Sequence, residues 1–142
     1  MSARPAKTQP FSIRLGAVTN TLVSDEARRS GRSRSVVVEE LAEEAAKTRL
    51  FPGIGFRGRP RRAWAIGSGL DVWEVVELVR SYGGKEGSLL ADHPSLGVRA
   101  LRMARAYAER FPEEVECLIE ENRRPLSELR ELYPFLRVGP SR

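Results

Sequence analysis

Phe11-Ser-Ile-Arg-Leu15 alternates apolar and polar side chains, and sixteen residues after Leu15 comes Gly31-Arg-Ser-Arg-Ser35, which opens a helix. Read as a strand, the first stretch puts Phe11, Ile13 and Leu15 on one face and Ser12 and Arg14 on the other. Five residues cannot bury three apolar side chains alone, because an isolated strand has neither hydrogen-bond partners nor a second apolar layer. The strand therefore asks for a partner strand, and a second copy of the chain is the nearest source. In the second stretch, Ser33 stands just before a helix, where its hydroxyl accepts from a free backbone N–H. Those N–H groups, with the positive end of the helix dipole, also suit a phosphate. Taken alone, Ser33 is more simply a cap flanked by solvated arginines; strand, spacing and Gly-Arg-Ser together favour contact with an anion.

The chain between and after these stretches reads as two helices. The first is expected over about 19–30, with Leu22, Val23 and Ala27 inward. The second is expected over about 34–48, where Val37, Val38, Leu41 and Ala45 supply the apolar stripe. Glu39, Glu40, Glu43 and Glu44 fall on the far side of that helix and, with no His or Cys beside them, read as a solvated face.

One strand and two short helices around a Gly-containing turn resemble the ribbon-helix-helix family of bacterial DNA-binding proteins, over residues 9–49. The resemblance implies a homodimer in which two strands form an antiparallel ribbon inside the major groove of double-stranded operator DNA. Ser12 and Arg14 would then meet base edges, while Arg32, Ser33, Arg34 and Ser35 would hold the DNA backbone. Phe11, Ile13, Leu15, Leu22, Val37 and Leu41 would form the dimer core. Pro10 lacks an N–H and limits the ribbon at its start.

Composition sets wider bounds. The chain has 142 residues, 41% hydrophobic and 30% charged, an ordinary composition for one domain or two small ones. No apolar stretch approaches the roughly 18 residues of a membrane span, and no apolar signal core follows the first methionine, so a cytoplasmic protein is expected, nucleoid-associated when bound to DNA. Cys117 is the sole cysteine, which excludes an intramolecular disulfide and a cysteine-based zinc cluster; a buried position on a helix face is expected for it. The net charge is +5, and its distribution matters more than its sum. Residues 1–49 carry nine Lys or Arg against six Asp or Glu, residues 50–110 ten against six, and residues 111–142 five against seven. The basic part fits phosphate contacts, and the slightly acidic tail a different partner.

Residues 1–9 read as a flexible basic arm, 10–49 as the DNA-binding and dimerisation unit, and 50–55 as a linker broken by Pro52, Gly53 and Gly55. A hairpin turning around Gly58 to Pro60 is expected next. Its arginines, Arg57, Arg59, Arg61 and Arg62, interleave with Phe56 and Trp64, and suit either a nucleic-acid wing or a hairpin packed on helices with its turn in water. Further helices are expected from Asp71 to about Tyr82, near 85–92, from a Ser95 cap to about 111, and from Pro112 onward. The inward residues are Val72, Val75, Val76 and Val79, then Leu101, Ala104, Ala108 and Phe111, then Val115, Leu118 and Ile119.

Residues 53–122 resemble a small homeodomain-like family of unknown function that occurs in bacterial proteins, VapB-type antitoxins among them. The likeness lies in Arg62-Ala-Trp64, Gly69-Leu-Asp-Val-Trp-Glu-Val-Val76, the Gly83-Gly84 stop, Ala104-Arg-Ala-Tyr-Ala108 and Phe111-Pro-Glu-Glu114. It implies a helix-turn-helix-like fold for 56–122, with the 95–111 helix in the recognition position and Arg99, Arg102 and Arg105 as a surface for DNA or another partner. In the last segment, 123–142, Leu126, Leu129, Leu132, Tyr133, Phe135 and Leu136 recur at helical spacing. That face needs cover, either on the chain's own second unit or in a groove on a partner; the antitoxin resemblance favours the partner and makes these residues the candidate toxin-binding set.

Catalytic constellations are missing from the sequence. His93 is the sole histidine and precedes Pro94, neither a nucleophile triad nor a Walker-type phosphate loop can be assembled, and Gly67-Ser-Gly69 lacks the strand-turn-helix setting of a dinucleotide site. The expectation is therefore a mainly α protein with short β elements that is not an enzyme and needs no cofactor or metal. The resemblances imply an antitoxin of a type II toxin-antitoxin system, repressing its own operator as a dimer and neutralising a PIN-like ribonuclease, with higher oligomers formed on the toxin. A transcriptional regulator without a toxin is the alternative, and a structural interaction module whose ribbon pairs with protein is the third class.

Overall fold

The computed structural model describes residues 8–123. It is mainly helical, with six helices and one two-stranded antiparallel sheet among those residues. Helix α1 runs Ala17–Ser30 and α2 runs Arg34–Leu50. Gly31 separates them at φ 67°, the left-handed conformation that glycine adopts without steric cost and that ends α1. Ser33 caps α2, its Oγ accepting from the Val36 N–H at 3.3 Å.

Strands β1 (Ile54–Arg57) and β2 (Arg62–Ala65) form the hairpin, paired Ile54 to Ala65, Gly55 to Trp64, Phe56 to Ala63 and Arg57 to Arg62. Asp71 stands at the start of α3 (Val72–Ser81), its N–H donating to Glu74 at 2.9 Å. Gly83 and Gly84, both at positive φ, follow the end of that helix. Helices α4 (Glu86–Asp92), α5 (Gly97–Arg110) and α6 (Pro112–Asn122) complete the described chain.

Two separate apolar clusters hold these elements. The smaller joins Val23 and Ala27 of α1 to Val37 of α2, with Leu15 and Val38 against it. The larger collects Ile54, Ala63 and Ala65 from the hairpin with Val72, Val75, Leu89, Leu96, Leu101, Ala104, Tyr107, Val115 and Ile119. Tyr107 is its largest fully buried side chain, absent from the inward residues expected of α5. Phe51 meets the Tyr107 ring edge-on at 5.4 Å, so the end of α2 leads straight into this core.

Residues 11–15 carry no strand pairing in the single chain, and the expected ribbon needs a second copy. Several other expectations are corrected. Leu22, Leu41 and Ala45 are exposed, and Glu40 and Glu44 are half-buried in their place. The inner face of α2 runs through Val37, Glu40, Glu44 and Lys47, because the loop arginines and the neighbouring units offer ion-pair partners along that line. The cap position of α5 belongs to Leu96, so Ser95 lies outside it. Cys117 is exposed, since α6 turns Val115 and Ile119 inward, at i and i+4.

Candidate nucleic-acid interface

The candidate interface combines the 11–15 stretch with the start of α2. Phe11 and Ile13 are 85% and 63% exposed, and Ser12 and Arg14 are exposed as well. Leu15 alone packs against the small cluster. The stretch therefore carries apolar and polar side chains into solvent on a backbone without a sheet partner among the described residues. Leu22 and Leu41, 62% and 41% exposed, add apolar surface on the two helices.

At the start of α2 the first N–H groups have no acceptor within the helix. The Ser33 hydroxyl takes the one from Val36. Those of Arg34 and Ser35 occupy the first two helical positions, where an anion is favoured by both hydrogen bonding and the helix dipole. The Arg34 guanidinium donates to Asn20 Oδ1 of α1, which ties the helix start to its neighbour. Arg32 is already engaged: two of its nitrogens reach the Glu40 carboxylate at 2.8 and 2.9 Å. The hydrogen bond from Arg32 holds the Glu40 carboxyl below its usual range, and the same bond raises Arg32. Arg32 is thus a brace between the α1–α2 turn and α2, and a phosphate would have to compete with Glu40 for it.

The hairpin arginines divide in the same way. Arg57 and Arg62 both bind Asp71, at 2.9 and 2.8 Å, and Arg57 also lies over the Trp64 ring at 4.3 Å. Burial would push Asp71 up, but the hydrogen bonds from Arg62 and Arg57 outweigh it and hold the carboxyl below its ordinary value. Arg61 donates to both oxygens of Glu44 at 2.8 and 3.1 Å, fastening the hairpin turn to α2. Only Arg59, at the tip, has no ion pair among the described residues. Three of the four arginines that suggested a wing therefore clamp the hairpin in place. This clamp was hidden in the sequence because Asp71 lies nine residues from Arg62 and reads first as a helix cap.

On α5, Arg99 and Arg102 are exposed without an ion pair among the described residues, whereas Arg105 pairs with Glu86 of α4. Leu126, Leu129, Leu132, Tyr133, Phe135 and Leu136 lie outside the described residues, as do residues 1–7 of the expected arm. No group of three or more potential metal ligands, and no helix long and apolar enough to cross a membrane, occurs among the described residues. No protein-family model matches the sequence, and comparison with curated proteins and with solved structures finds no match.

Proposed function

We propose that the protein is a dimeric DNA-binding antitoxin, built on a ribbon-helix-helix unit that binds its own operator and followed by a helical unit and a segment that neutralise a toxin. The observation that carries the DNA-binding half is the exposure of Phe11, Ile13, Leu22 and Leu41 around a helix pair that buries only Val23, Ala27 and Val37. Large apolar side chains left in water on a unit with so small a core are ones that a second copy could cover. A second copy supplies one by pairing its own 11–15 stretch and covering the leucines. Two Arg14 side chains and two α2 starts then lie on one dimer, which suits base contact flanked by phosphate contact. The resemblance of residues 53–122 to the antitoxin-associated family supports the toxin half. The partner that this half implies is a PIN-like ribonuclease held by occlusion.

Sedimentation over a range of concentrations, combined with binding to the DNA just upstream of the reading frame, tests the first half. A dimer is expected that binds this fragment at least about a thousandfold more tightly than random sequence. Its affinity is expected to fall by roughly a thousandfold or more from about 50 to 200 mM salt if six or more phosphates are contacted. Arg14→Ala should cost about 1–3 kcal/mol on the upstream fragment and little on random DNA. A monomer with equal, salt-insensitive affinity for both fragments overturns the reading. Co-expression with the product of an adjacent reading frame tests the second half: a captured nuclease, lost on deletion of residues 123–142 while operator binding persists, supports it. Operator binding with no captured protein would leave a plain regulator.

A further inference from the structure

A groove of about 570 Å³ lies on the helical unit, between Pro52-Gly53 ahead of β1, Ile66 after β2, and residues 96–100 with Met103 at the start of α5. Ile66 and Val98 line it while remaining 55% and 50% exposed, so two large apolar side chains stand in water there. The charged lining is Arg99 alone, with no carboxylate. Arg102 is exposed three residues further along α5, on the neighbouring turn, and neither arginine has an ion pair among the described residues. A nucleic acid would satisfy the arginines and leave Ile66 and Val98 wet. A protein segment with apolar anchors and carboxylates satisfies both.

The chain contains such a segment. Residues 126–136 carry Leu126, Leu129, Leu132, Tyr133, Phe135 and Leu136, with Glu128 and Glu131 against the single Arg130. The described chain ends at Arg123, whose guanidinium donates to Glu77 of α3 at 3.0 Å, so the segment starts three residues from a point fixed on the same unit. The thirteen residues from Arg123 to Leu136 reach at most about 43 Å. A unit of about 70 residues is about 28 Å across, so the groove is within range. A short tether also holds the segment at roughly millimolar effective concentration.

We propose that the 126–136 segment occupies the α5 groove of its own chain, with its carboxylates toward Arg99 and Arg102, whenever no other protein holds it. The proposal rests on the groove and the segment alone and stands whether or not a toxin exists; a partner that takes the segment has to displace it from the groove.

Cross-linking in the full chain tests this. With Cys117→Ser in place, Val98→Cys is combined with Leu132→Cys, and a control combines Arg28→Cys on α1 with Leu132→Cys. Mild oxidation followed by non-reducing mass spectrometry should show an intramolecular disulfide forming at least about tenfold faster in the groove pair than in the control. Ile66→Cys with Leu132→Cys provides a second groove pair should the first variant fail to fold. Equal rates in groove and control pairs, or no disulfide in either groove pair, overturns the proposal. A disulfide between two chains also overturns it and points to a second copy as the occupant. Loss of operator binding by the unmodified protein would count against the proposed function and leave this result untouched.

Discussion

The helix pair and the helical unit are built on opposite economies of burial. The α1–α2 pair buries Val23, Ala27 and Val37 and leaves Leu22 and Leu41 in water. The unit from β1 to α6 closes twelve buried side chains into one core, Tyr107 and Leu101 among them. A unit below about 40 residues seldom folds without help from a metal, a disulfide or a second chain. Neither a disulfide nor a cluster of metal ligands is present in the helix pair. Its shortage of core is therefore the physical content of the proposed dimer, and the completeness of the second unit explains why that unit can serve as a scaffold. Helix α2 belongs to both: Val37 lies in the small core, while Lys47 stands 4.5 Å from the centre of the Phe111 ring and 3.5 Å from Glu114.

The contrast breaks most visibly under truncation of core side chains. Leu101→Ala should destabilise the helical unit by about 3–5 kcal/mol, since a fully buried leucine loses its transfer energy and leaves a cavity. Thermal unfolding should register it at every protein concentration. Val37→Ala removes about two methylene equivalents from the small core, roughly 1.6 kcal/mol before any cavity cost. If the helix pair dimerises as proposed, its effect should depend on concentration, because folding is then linked to association. Hydrogen exchange across α1 and the first turns of α2 reads this: protection that falls on dilution in α1 but not in α5 confirms the contrast, and concentration-independent protection in both erases it.

The elements were more legible than the partners of their side chains. The apolar spacings of α3, α5 and α6 and the turn residues around Gly58 to Pro60 placed those helices and the hairpin, because local periodicity and turn chemistry act within a few residues. Helix α2 shows where such reading stops. Its apolar stripe through Leu41 and Ala45 was visible, but the face turned to the protein carries Glu40, Glu44 and Lys47, whose partners come from the loop before α2, the hairpin and α6. Ion pairs between residues 8 to 67 positions apart have no periodicity to betray them. At the candidate interface, the Ser33 cap followed from residue type and position, whereas the capture of Arg32 by Glu40 required the folded turn. Phe11 to Leu15 is the limiting case: its alternation asks for a strand, and among the described residues β1 and β2 pair only with each other.

Electrostatic clamps supply the smaller effects. Asp71→Asn keeps the size of the side chain but removes the charge shared by Arg57 and Arg62; since both arginines are about a third exposed, the loss is expected at about 1–2 kcal/mol. The sign with pH follows from the lowered Asp71 value. Its contribution is fully present above the ordinary carboxyl value of 3.8 and disappears as pH falls through the lower folded value. Acid unfolding of the parent should therefore steepen below about pH 4, and that extra slope should be missing in the Asn variant.

The Arg61–Glu44 pair is the mildest test, and it addresses the join between the two units. Glu44→Gln leaves a hydrogen-bond acceptor but takes away the charge that holds the hairpin turn on α2. Arg61 is well exposed, so stability should change by no more than about 1 kcal/mol. A larger response is expected in local opening. If the hairpin and α2 move as one, exchange at the β1–β2 turn should rise in the variant while the Leu101 region stays protected. Should exchange at the turn remain unchanged, the Phe51 ring packed against Tyr107 and Phe111 would be sufficient to join the two units without the ion pair.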